Sequence, residues 1–299
     1  MFHPPRHYVF IDAVARTGSI RKAAAQIGVA STSINRKILE IEEQLGVAMF
    51  ERLPTGVRLT AAGEVLIGII RRNIADVRSA NAQIEQLQGL VFGNINLALA
   101  HSVANDLIPE LVAQYHKHHP RVKFAFQVGG TFDLIAALMR DEMDLALVHD
   151  PAMTSDLTEL SSYSQPLCAV MSRHHPLAGR AKLKLVDCQP FPVALGNSSF
   201  GGRKLIERIL KRTNLSLKVV LESNTIRSQI NYARHTEAIC FQFQIGTIQD
   251  TVNGDLVAIP LSDTELSSGR LVLVQRAGRA LPFPAVSFAE AIKNRLAGM

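Results

Sequence analysis

Apolar residues near the start of the chain recur at helical spacing and are interrupted by glycine. From Tyr8 to Val14 the pattern predicts a first helix, which a Thr-Gly-Ser sequence ends. Ser19 can cap a second helix, IRKAAAQI, whose alanines leave room for a crossing helix. Gly28 tolerates the left-handed turn that would end it. A third helix follows closely, so the second helix, the glycine turn and the third helix are predicted to form a helix-turn-helix unit. In such a unit the later helix, here the third of the chain, lies in the DNA major groove.

The third helical pattern separates an apolar face from a polar one. On a helical wheel one face carries Ile34, Ile38, Ile41 and Leu45. Thr32 and Arg36 lie nearly opposite that face, and Ser33 and Asn35 lie on its flanks. Arg36 and Lys37 occupy the first half of the helix, whereas three glutamates crowd the second half, where phosphates would repel them. Only the N-terminal end of this helix is expected to approach DNA.

The start of this helix affects which side chains are free to read bases. Ala30 has no side-chain oxygen for capping, so Ser31 is the predicted N-cap. A hydroxyl bonded to its own backbone is less available for a base. Sequence readout is therefore expected mainly from Thr32, Asn35 and Arg36.

The segment FERLPTGVRLT follows and predicts a β-hairpin wing. Two short extended pieces surround a Pro-Thr-Gly turn. Arg52 and Arg58 flank the turn and are expected to reach backbone phosphates. A helical cluster that serves only packing is the alternative, and the wing favours DNA binding over it.

A long helix is predicted after the wing, with Thr60 as its N-cap and no proline from Ala61 to about Gln88. Its apolar positions alternate three and four apart, which is a heptad seam typical of helices that dimerise. The seam comprises Ile67, Ile70, Ile74, Val77, Asn81, Ile84 and Gln88. Asn81 is the kind of polar residue that fixes register. The alternative is that this stripe packs on the protein's own body.

The run from Ser19 to Glu64 resembles the N-terminal DNA-binding region of LysR-type transcriptional regulators. The resemblance covers residues 1–90 closely and includes the alanine-rich helix, LEIEEQLGV, the FER before the wing and LTAAGE. It implies that base and phosphate contacts fall on Ser31, Thr32, Ser33, Asn35, Arg36, Arg52 and Arg58. Members commonly show Ser-Gln-Pro-Ala-Leu-Ser-Arg where residues 30–36 read Ala-Ser-Thr-Ser-Ile-Asn-Arg. The missing glutamine leaves the preferred operator open.

Beyond Gly93, strand and helix patterns alternate, and Gly89 and Gly93 mark a linker. Alternation of this kind predicts α/β architecture with a parallel sheet covered by helices. With the resemblance, the expected fold has an all-α-type winged helix-turn-helix and two Rossmann-like subdomains similar to a type 2 periplasmic-binding-protein fold. The expected domains are the winged domain 1–60, the linker helix 61–90 and the effector domain 91–299. Subdomain I would comprise about 91–161 and 268–299, and subdomain II about 162–267.

Ligands of such sheets sit beyond the carboxyl ends of strands, which selects Ser102 and Thr131. Plain N-capping of helices is the alternative for these hydroxyls. The resemblance favours a pocket between the two subdomains. The opposite wall is expected from Asn197, Ser198 and Ser199, which end a strand in a donor-rich loop. A small anion could use these hydroxyls together with helix-end N–H groups, and no cofactor or metal is expected.

The segment HTEAICFQFQIG departs from the family pattern, which usually has a glycine-rich turn, a short apolar strand and a proline there. Gln242 and Gln244 alternate with Phe241 and Phe243, which places amides on one face of a strand and rings on the other. A solvated edge is one account of this alternation. A recast pocket or a subunit contact is the other, and both remain open.

Composition further limits the classes of function that the protein can have. The net charge of +6 fits an anionic partner, although a uniform surplus could also serve solubility. Cys168, Cys188 and Cys240 lack disulfide or zinc spacing. The histidines lack the spacing of a helical metal pair, and adjacent His101 and Ser102 do not form a triad, so no enzyme is expected.

The expected protein is a transcriptional regulator of double-stranded DNA operators that responds to a small effector. It would be a cytoplasmic, nucleoid-associated homodimer or dimer of dimers, because no membrane span or secretory pattern is present and two half-sites demand a dimer. The alternative is a metabolite-binding protein whose N-terminal helices serve only assembly.

Overall fold

The computed structural model describes residues 2–87, 92–252 and 254–299, which fold as two compact units. The N-terminal unit contains three short helices, a hairpin and one long helix. Its elements are α1 (Arg6–Thr17), α2 (Ile20–Ile27), α3 (Ser31–Leu45), β1 (Phe50–Leu53), β2 (Gly56–Leu59) and α4 (Ala61–Leu87). The predicted order of helices and wing is confirmed. Gln88 and Gly89 lie outside the described residues.

Glycines and hydroxyl caps bound these helices largely as predicted. Gly18 and Gly28 end α1 and α2 in the left-handed conformation, with φ of 61° and 76°. Ser19 accepts a hydrogen bond from the backbone of Lys22, and Oγ1 of Thr60 accepts one from Gly63 at 3.0 Å. These side chains satisfy backbone donors that a helix start leaves unpaired.

The start of α3 differs from the prediction. Ala30 is its N-cap, in extended conformation, and its carbonyl accepts a hydrogen bond from Ser33 N at 3.0 Å. Within the described chain, no side chain caps this helix start. The prediction that Ser31 caps α3 is therefore wrong, because the helix begins one residue earlier than a side-chain cap requires. The Ser31 hydroxyl is not consumed by capping.

The core of the N-terminal unit joins α1, α2, α3 and part of α4. Ile34 and Ile38 of α3 are buried in it, and Ile41 packs against it. Leu45 was predicted to share this face, but its side chain is 48% exposed. It is the last residue of α3, one turn beyond the point where the helix meets the core.

The N-terminal half of the predicted heptad seam lies in this same core. Ile67, Ile70 and Ile74 are at most 8% exposed and cluster with the α1 side chains. The expectation that these three residues form a dimer seam is corrected, because they pack on the protein's own body. Asn81 exchanges two hydrogen bonds with the backbone of Phe2, at 2.9 and 2.6 Å. Val77 is half-buried and Ile84 is exposed.

The second unit contains two five-stranded sheets with helices around them. The strands are β3 (Gly93–Ala100), β4 (Val122–Gly129), β5 (Leu145–His149), β6 (Leu157–Ser164), β7 (Leu167–Ser172), β8 (Pro192–Gly196), β9 (Lys218–Ser223), β10 (Ile239–Phe243), β11 (Leu256–Pro260) and β12 (Arg270–Arg276). The first sheet has the order β4-β3-β5-β12-β6 and the second β11-β7-β10-β8-β9. β12 runs antiparallel to both neighbours, so the predicted parallel sheet is a mixed one.

Helices connect these strands and cover the sheets. They are α5 (His101–Ala104), α6 (Leu107–His118), α7 (Thr131–Met139), α8 (Gly201–Arg212), α9 (Ile226–Arg234), α10 (Ile248–Val252), α11 (Thr264–Ser267) and α12 (Phe283–Ala297), with 3₁₀ turns Leu185–Cys188 and Gln244–Gly246. The chain passes between the sheets from β6 to β7 and returns before β12. Among the described helices, none is long and apolar enough to cross a membrane.

Candidate nucleic-acid interface and ligand cleft

The first turns of α3 present polar side chains to solvent. Ser31, Thr32, Ser33 and Arg36 are exposed, and Asn35 is half-buried on the flank. Each of these side chains lies on the side of α3 that the helical wheel predicted. The helix N-terminus adds unpaired backbone donors and partial positive charge, so this end attracts an anionic partner.

The charges along α3 sharpen this polarity. Nζ of Lys37 donates to Glu40 at 2.7 Å, and this hydrogen bond lowers the pKa of the Glu40 carboxyl below its ordinary value. Within the described residues, Arg36 forms no ion pair. Arg36 is therefore the cation of α3 that remains available to a partner, whereas the charge of Lys37 is offset within the helix.

Glu42 has a structural role that sequence analysis missed. Its Oε1 atom accepts the backbone N–H groups of Met49 and Phe50, at 2.7 and 3.1 Å. The carboxylate thus anchors the first strand of the wing to α3. The sequence grouped it with the exposed acidic end, because hydrogen bonds to a strand later in the chain leave no local pattern.

The wing is held against the turn between α1 and α2. Val57 N donates to the carbonyl of Gly18 at 2.9 Å. Gly56 adopts a φ of 150°, and a Cβ atom there would overlap the same carbonyl oxygen. Only glycine permits this close approach.

Both wing arginines have partners within the unit. Nη2 of Arg58 contacts Glu51 at 2.6 Å, and both side chains are largely exposed. Exposed pairs of this kind contribute little stability, so Arg58 can exchange its partner for a phosphate. Nη2 of Arg52 donates to Oδ1 of Asn35 at 2.9 Å. Arg52 therefore lies beside the exposed end of α3.

A cleft lies between the two sheets of the second unit, at the ends of their strands. The described lining residues are Ala100, His101, Ser102, Gly129, Gly130, Thr131, His149, Leu167, Leu195, Gly196, Phe200, Gly201, Gly202, Arg203, Ile206, Ile226, Gln229, Phe241, Gln242 and Phe243. They leave about 40 Å³ of free space. That volume holds about three waters, so the cleft has no room for a larger ligand in this arrangement.

Ser102 and Thr131 both line this cleft, and His149 connects them. Oγ of Ser102 lies 2.6 Å from Nε2 of His149, and Oγ1 of Thr131 donates to the His149 carbonyl at 2.8 Å. Their hydroxyls therefore do not act as plain N-caps. His149 was not predicted, although it ends the strand pattern DLALVH. The strand-end rule that selected Ser102 would have found it.

Two histidines of the first subdomain stack on phenylalanines of the second. The rings of His149 and Phe243 are 3.7 Å apart at 10°, and those of His101 and Phe200 are 5.3 Å apart at 8°. Burial lowers the pKa of both histidines, that of His149 to about 3, despite the opposing effect of the nearby Arg270 carbonyl. Among described residues, no group hydrogen-bonds to Nδ1 of His149. Both rings are neutral at pH 7.

Asn197, Ser198 and Ser199 are not among the described lining residues, although Ser199 packs directly against Gly130 of the first subdomain. Oδ1 of Asn197 accepts from the backbone N and hydroxyl of Ser199, at 3.2 and 2.7 Å, and Ser198 is exposed. The loop's polar groups thus serve its own turn. Phe200 and the start of the following helix are in the lining. The expectation that Asn197, Ser198 and Ser199 bind an effector stays a prediction.

The departure at HTEAICFQFQIG falls on β10, the central strand of the second sheet. All five residues of β10 are buried, so the solvated-edge account is wrong. Nε2 of Gln242 donates to Oε1 of Gln229 at 3.3 Å, and Nε2 of Gln229 donates to the Ser223 carbonyl at 3.0 Å. The departure recasts one wall of the cleft as an amide pair. Gln244 lies beyond β10 and is exposed.

The electrostatics of the cleft favour negative ligands. Among the described lining residues there is no carboxylate. Helices α7, α8 and α9 each place their first residue in the lining, so three helix N-termini converge. Arg203 is the charged lining residue, but its guanidinium binds the Gly196 carbonyl and two glutamates.

A helix-turn-helix with a wing, together with a two-lobed ligand cleft, defines the class of ligand-responsive transcriptional regulators. The family model for the LysR substrate-binding domain matches residues 88–297, and that for the bacterial regulatory helix-turn-helix protein, lysR family, matches residues 5–64. The chain therefore belongs to the LysR family of transcriptional regulators. It combines a DNA-binding helix-turn-helix with an effector-binding domain, as the resemblance implied.

Curated relatives and solved structures agree with this assignment. The chain is 23% identical to the transcriptional activator CmpR of Synechocystis over 88% of this chain and 86% of that protein. It is 28% identical to the regulator BbuR of Bordetella bronchiseptica over 84% of this chain and 77% of that protein. A full-length OxyR variant from Pseudomonas aeruginosa shares the fold at a TM-score of 0.76, with 19% identity and coverage of 98% and 96%. CbnR in complex with its target DNA shares the fold at a TM-score of 0.63, with 17% identity and coverage of 97% of this chain and 99% of that chain.

Proposed function

We propose that the first turns of α3 enter the major groove of an operator and that the wing lies along the adjacent backbone. Ser31, Thr32, Ser33, Asn35 and Arg36 would face bases and phosphates. The polarity of α3 is the observation that carries this proposal, because donors and the unpaired Arg36 occupy one end and glutamates the other. Arg52 and Arg58 of the wing would lie beside phosphates.

The effector in this proposal is a small anionic metabolite that binds between the two subdomains. Ser102 and Thr131 line the cleft, and three helix N-termini supply positive potential in a lining without a described carboxylate. An anion that binds there would take over hydroxyl protons that His149 now shares. The cleft has room for about three waters, so a larger ligand would bind only when the subdomains separate. The effector would then favour one arrangement over the other and alter DNA binding. A thermal-shift comparison of small carboxylates and phosphates with neutral analogues tests the charge preference.

The active form in this proposal is a homodimer, or a dimer of dimers, in the cytoplasm at the nucleoid. Two half-sites on an operator require two recognition helices. Support comes from α4, whose exposed face carries the apolar side chains of Val65 and Ile69. These residues offer a partner helix apolar surface that the unit's own core does not use.

Replacing Arg36 by alanine tests the DNA-binding proposal. We expect binding to a fragment from upstream of the protein's own coding sequence to weaken by about 10- to 100-fold, and to depend less steeply on salt if Arg36 contacts a phosphate. Electrophoretic mobility shifts across a salt series measure both quantities. Lys37→Ala is the matched control, since its charge is already offset by Glu40.

Two outcomes would contradict the proposal. If the unaltered protein shows no sequence preference at any salt concentration, the N-terminal helices serve assembly alone. If Lys37→Ala weakens binding as much as Arg36→Ala does, the polarity of α3 does not determine how it docks.

A further inference from the structure

The hydrogen bond between Arg52 and Asn35 links the wing to the exposed end of α3. The inference drawn from it rests on the DNA-binding function proposed above. A guanidinium group carries only donors, so the amide atom that it contacts at 2.9 Å must be the oxygen of Asn35. The contact therefore fixes the orientation of the Asn35 amide, which the side chain alone would leave free to flip.

The hairpin places Arg52 for this contact by strand alternation. Side chains alternate across a strand, so Arg52 lies on the same face of β1 as the buried Phe50, which is the face toward the helices. Glu51 lies on the other face, where it pairs with Arg58 directly across the hairpin. One wing arginine is thus directed at α3, and the other is directed away from it.

The position of β1 relative to α3 is fixed by a second, independent tether. Glu42 and Asn35 are seven residues apart and so lie on nearly the same flank of the helix. Glu42 accepts the backbone N–H of Phe50, at the start of β1. From there the strand leads toward Asn35, which the long side chain of Arg52 reaches. The Arg52 to Asn35 contact is therefore part of a built interface between wing and helix.

The fixed orientation determines what Asn35 offers to a base. Within the described residues, Nδ2 of Asn35 has no acceptor, and its oxygen already accepts from Arg52. In the major groove guanine, adenine and thymine present acceptors, whereas cytosine presents an amino donor. We propose that Asn35 reads one base of the operator as a donor through Nδ2, and that Arg52 is the positioning residue that holds the amide for this readout.

Selection from randomised duplex DNA by the full-length protein, followed by sequencing of the bound fraction, tests this proposal and requires no known operator. At one position the unaltered protein is expected to select against cytosine. Arg52→Ala is expected to reduce the discrimination at that position by about 3- to 10-fold, the range that one hydrogen bond supports. Asn35→Ala should reduce it at the same position, and the double variant should reduce it no further.

Arg58→Ala is the matched control, because Arg58 has the same charge on the same hairpin but lies on the opposite face. It should weaken binding equally for all sequences and leave every base preference unchanged. If Arg52→Ala also weakens binding equally for all sequences and leaves every base preference unchanged, Arg52 is a phosphate contact only. The inference is then overturned, although the proposed function stands. If the unaltered protein selects no sequence, the proposed function itself fails. Unchanged melting temperatures of the variants establish that they fold.

Discussion

At the scale of single residues, His149 determines the chemistry of the cleft more than either predicted hydroxyl. Its ring contacts Ser102, its carbonyl accepts from Thr131, and its stacking partner Phe243 comes from the other subdomain. Full burial keeps the ring neutral, because the charged form would lose its hydration. The neutral ring adds no charge to the cleft, and the cost of protonating it makes the stability of the fold depend on pH.

Replacing His149 by phenylalanine should make stability less dependent on pH. The folded pKa of His149 is about 3, below the ordinary 6.5, so the unfolded chain binds the proton more tightly. The stability that the folded state gains by keeping His149 neutral is fully present above pH 6.5 and is lost as the pH falls toward 3. Between pH 7 and pH 5 the loss is about 2 kcal/mol. Urea unfolding at pH 7 and pH 5 should show a smaller decrease for the variant than for the unaltered protein.

Other buried histidines do not affect the comparison between His149→Phe and the unaltered protein. Burial also lowers the pKa of His101 and of His175, but both residues are present in the variant and in the unaltered protein. An equal decrease in stability on acidification of the two proteins would contradict the assignment to His149. Phenylalanine retains a ring against Phe243, so the loss of stacking is small.

At the scale of elements, α3 combines three functions along its length. Its inner face seats the helix on the core, its first turns face outward with donors, and Glu42 anchors the wing from its second half. These functions use different sides and ends of one helix. An acidic residue in the second half can therefore be structural even where neighbouring glutamates are solvated.

Replacing Glu42 by alanine should destabilise the N-terminal unit by about 1–3 kcal/mol, because two backbone N–H groups at the start of β1 lose their acceptor. Circular dichroism on heating measures the change. Glu43→Ala is the matched control on the same helix, since Glu43 is exposed and its removal should change stability by no more than about 0.5 kcal/mol. Equal effects of the two substitutions would show that Glu42 does not anchor the wing.

The elements differ in how far the sequence could predict them. Helices α1 to α4 and the wing were predictable because their apolar spacing, glycines and caps are local signals. The amide pair of Gln229 and Gln242 was not, since its two residues meet only after β10 takes the centre of the sheet. The start of α3 was missed because the backbone of Ala30 alone bounds that helix. Local rules therefore predict elements better than the contacts between them.

At the scale of the whole molecule, the corrected seam of α4 changes which surface can join two copies. Ile67, Ile70 and Ile74 are committed to the core of their own unit. Val65 and Ile69 are four residues apart on a different face, with 70% and 56% of their side chains exposed. Exposed apolar side chains at this spacing form the stripe that a second helix can cover. Self-association would then use the outer face of α4 and leave the core intact.

Replacing Ile69 by glutamate should weaken self-association by at least about tenfold, because a charge on the proposed stripe would lose its hydration in the interface. The stability of the N-terminal unit should change little, since Ile69 is exposed within one chain. Sedimentation across a range of protein concentrations measures the association. Ile84→Glu is the informative comparison, because Ile84 is an exposed apolar residue of the predicted seam, and that seam lies on a different side of the helix. Dissociation by Ile84→Glu but not by Ile69→Glu would favour that seam over the outer stripe as the contact between copies.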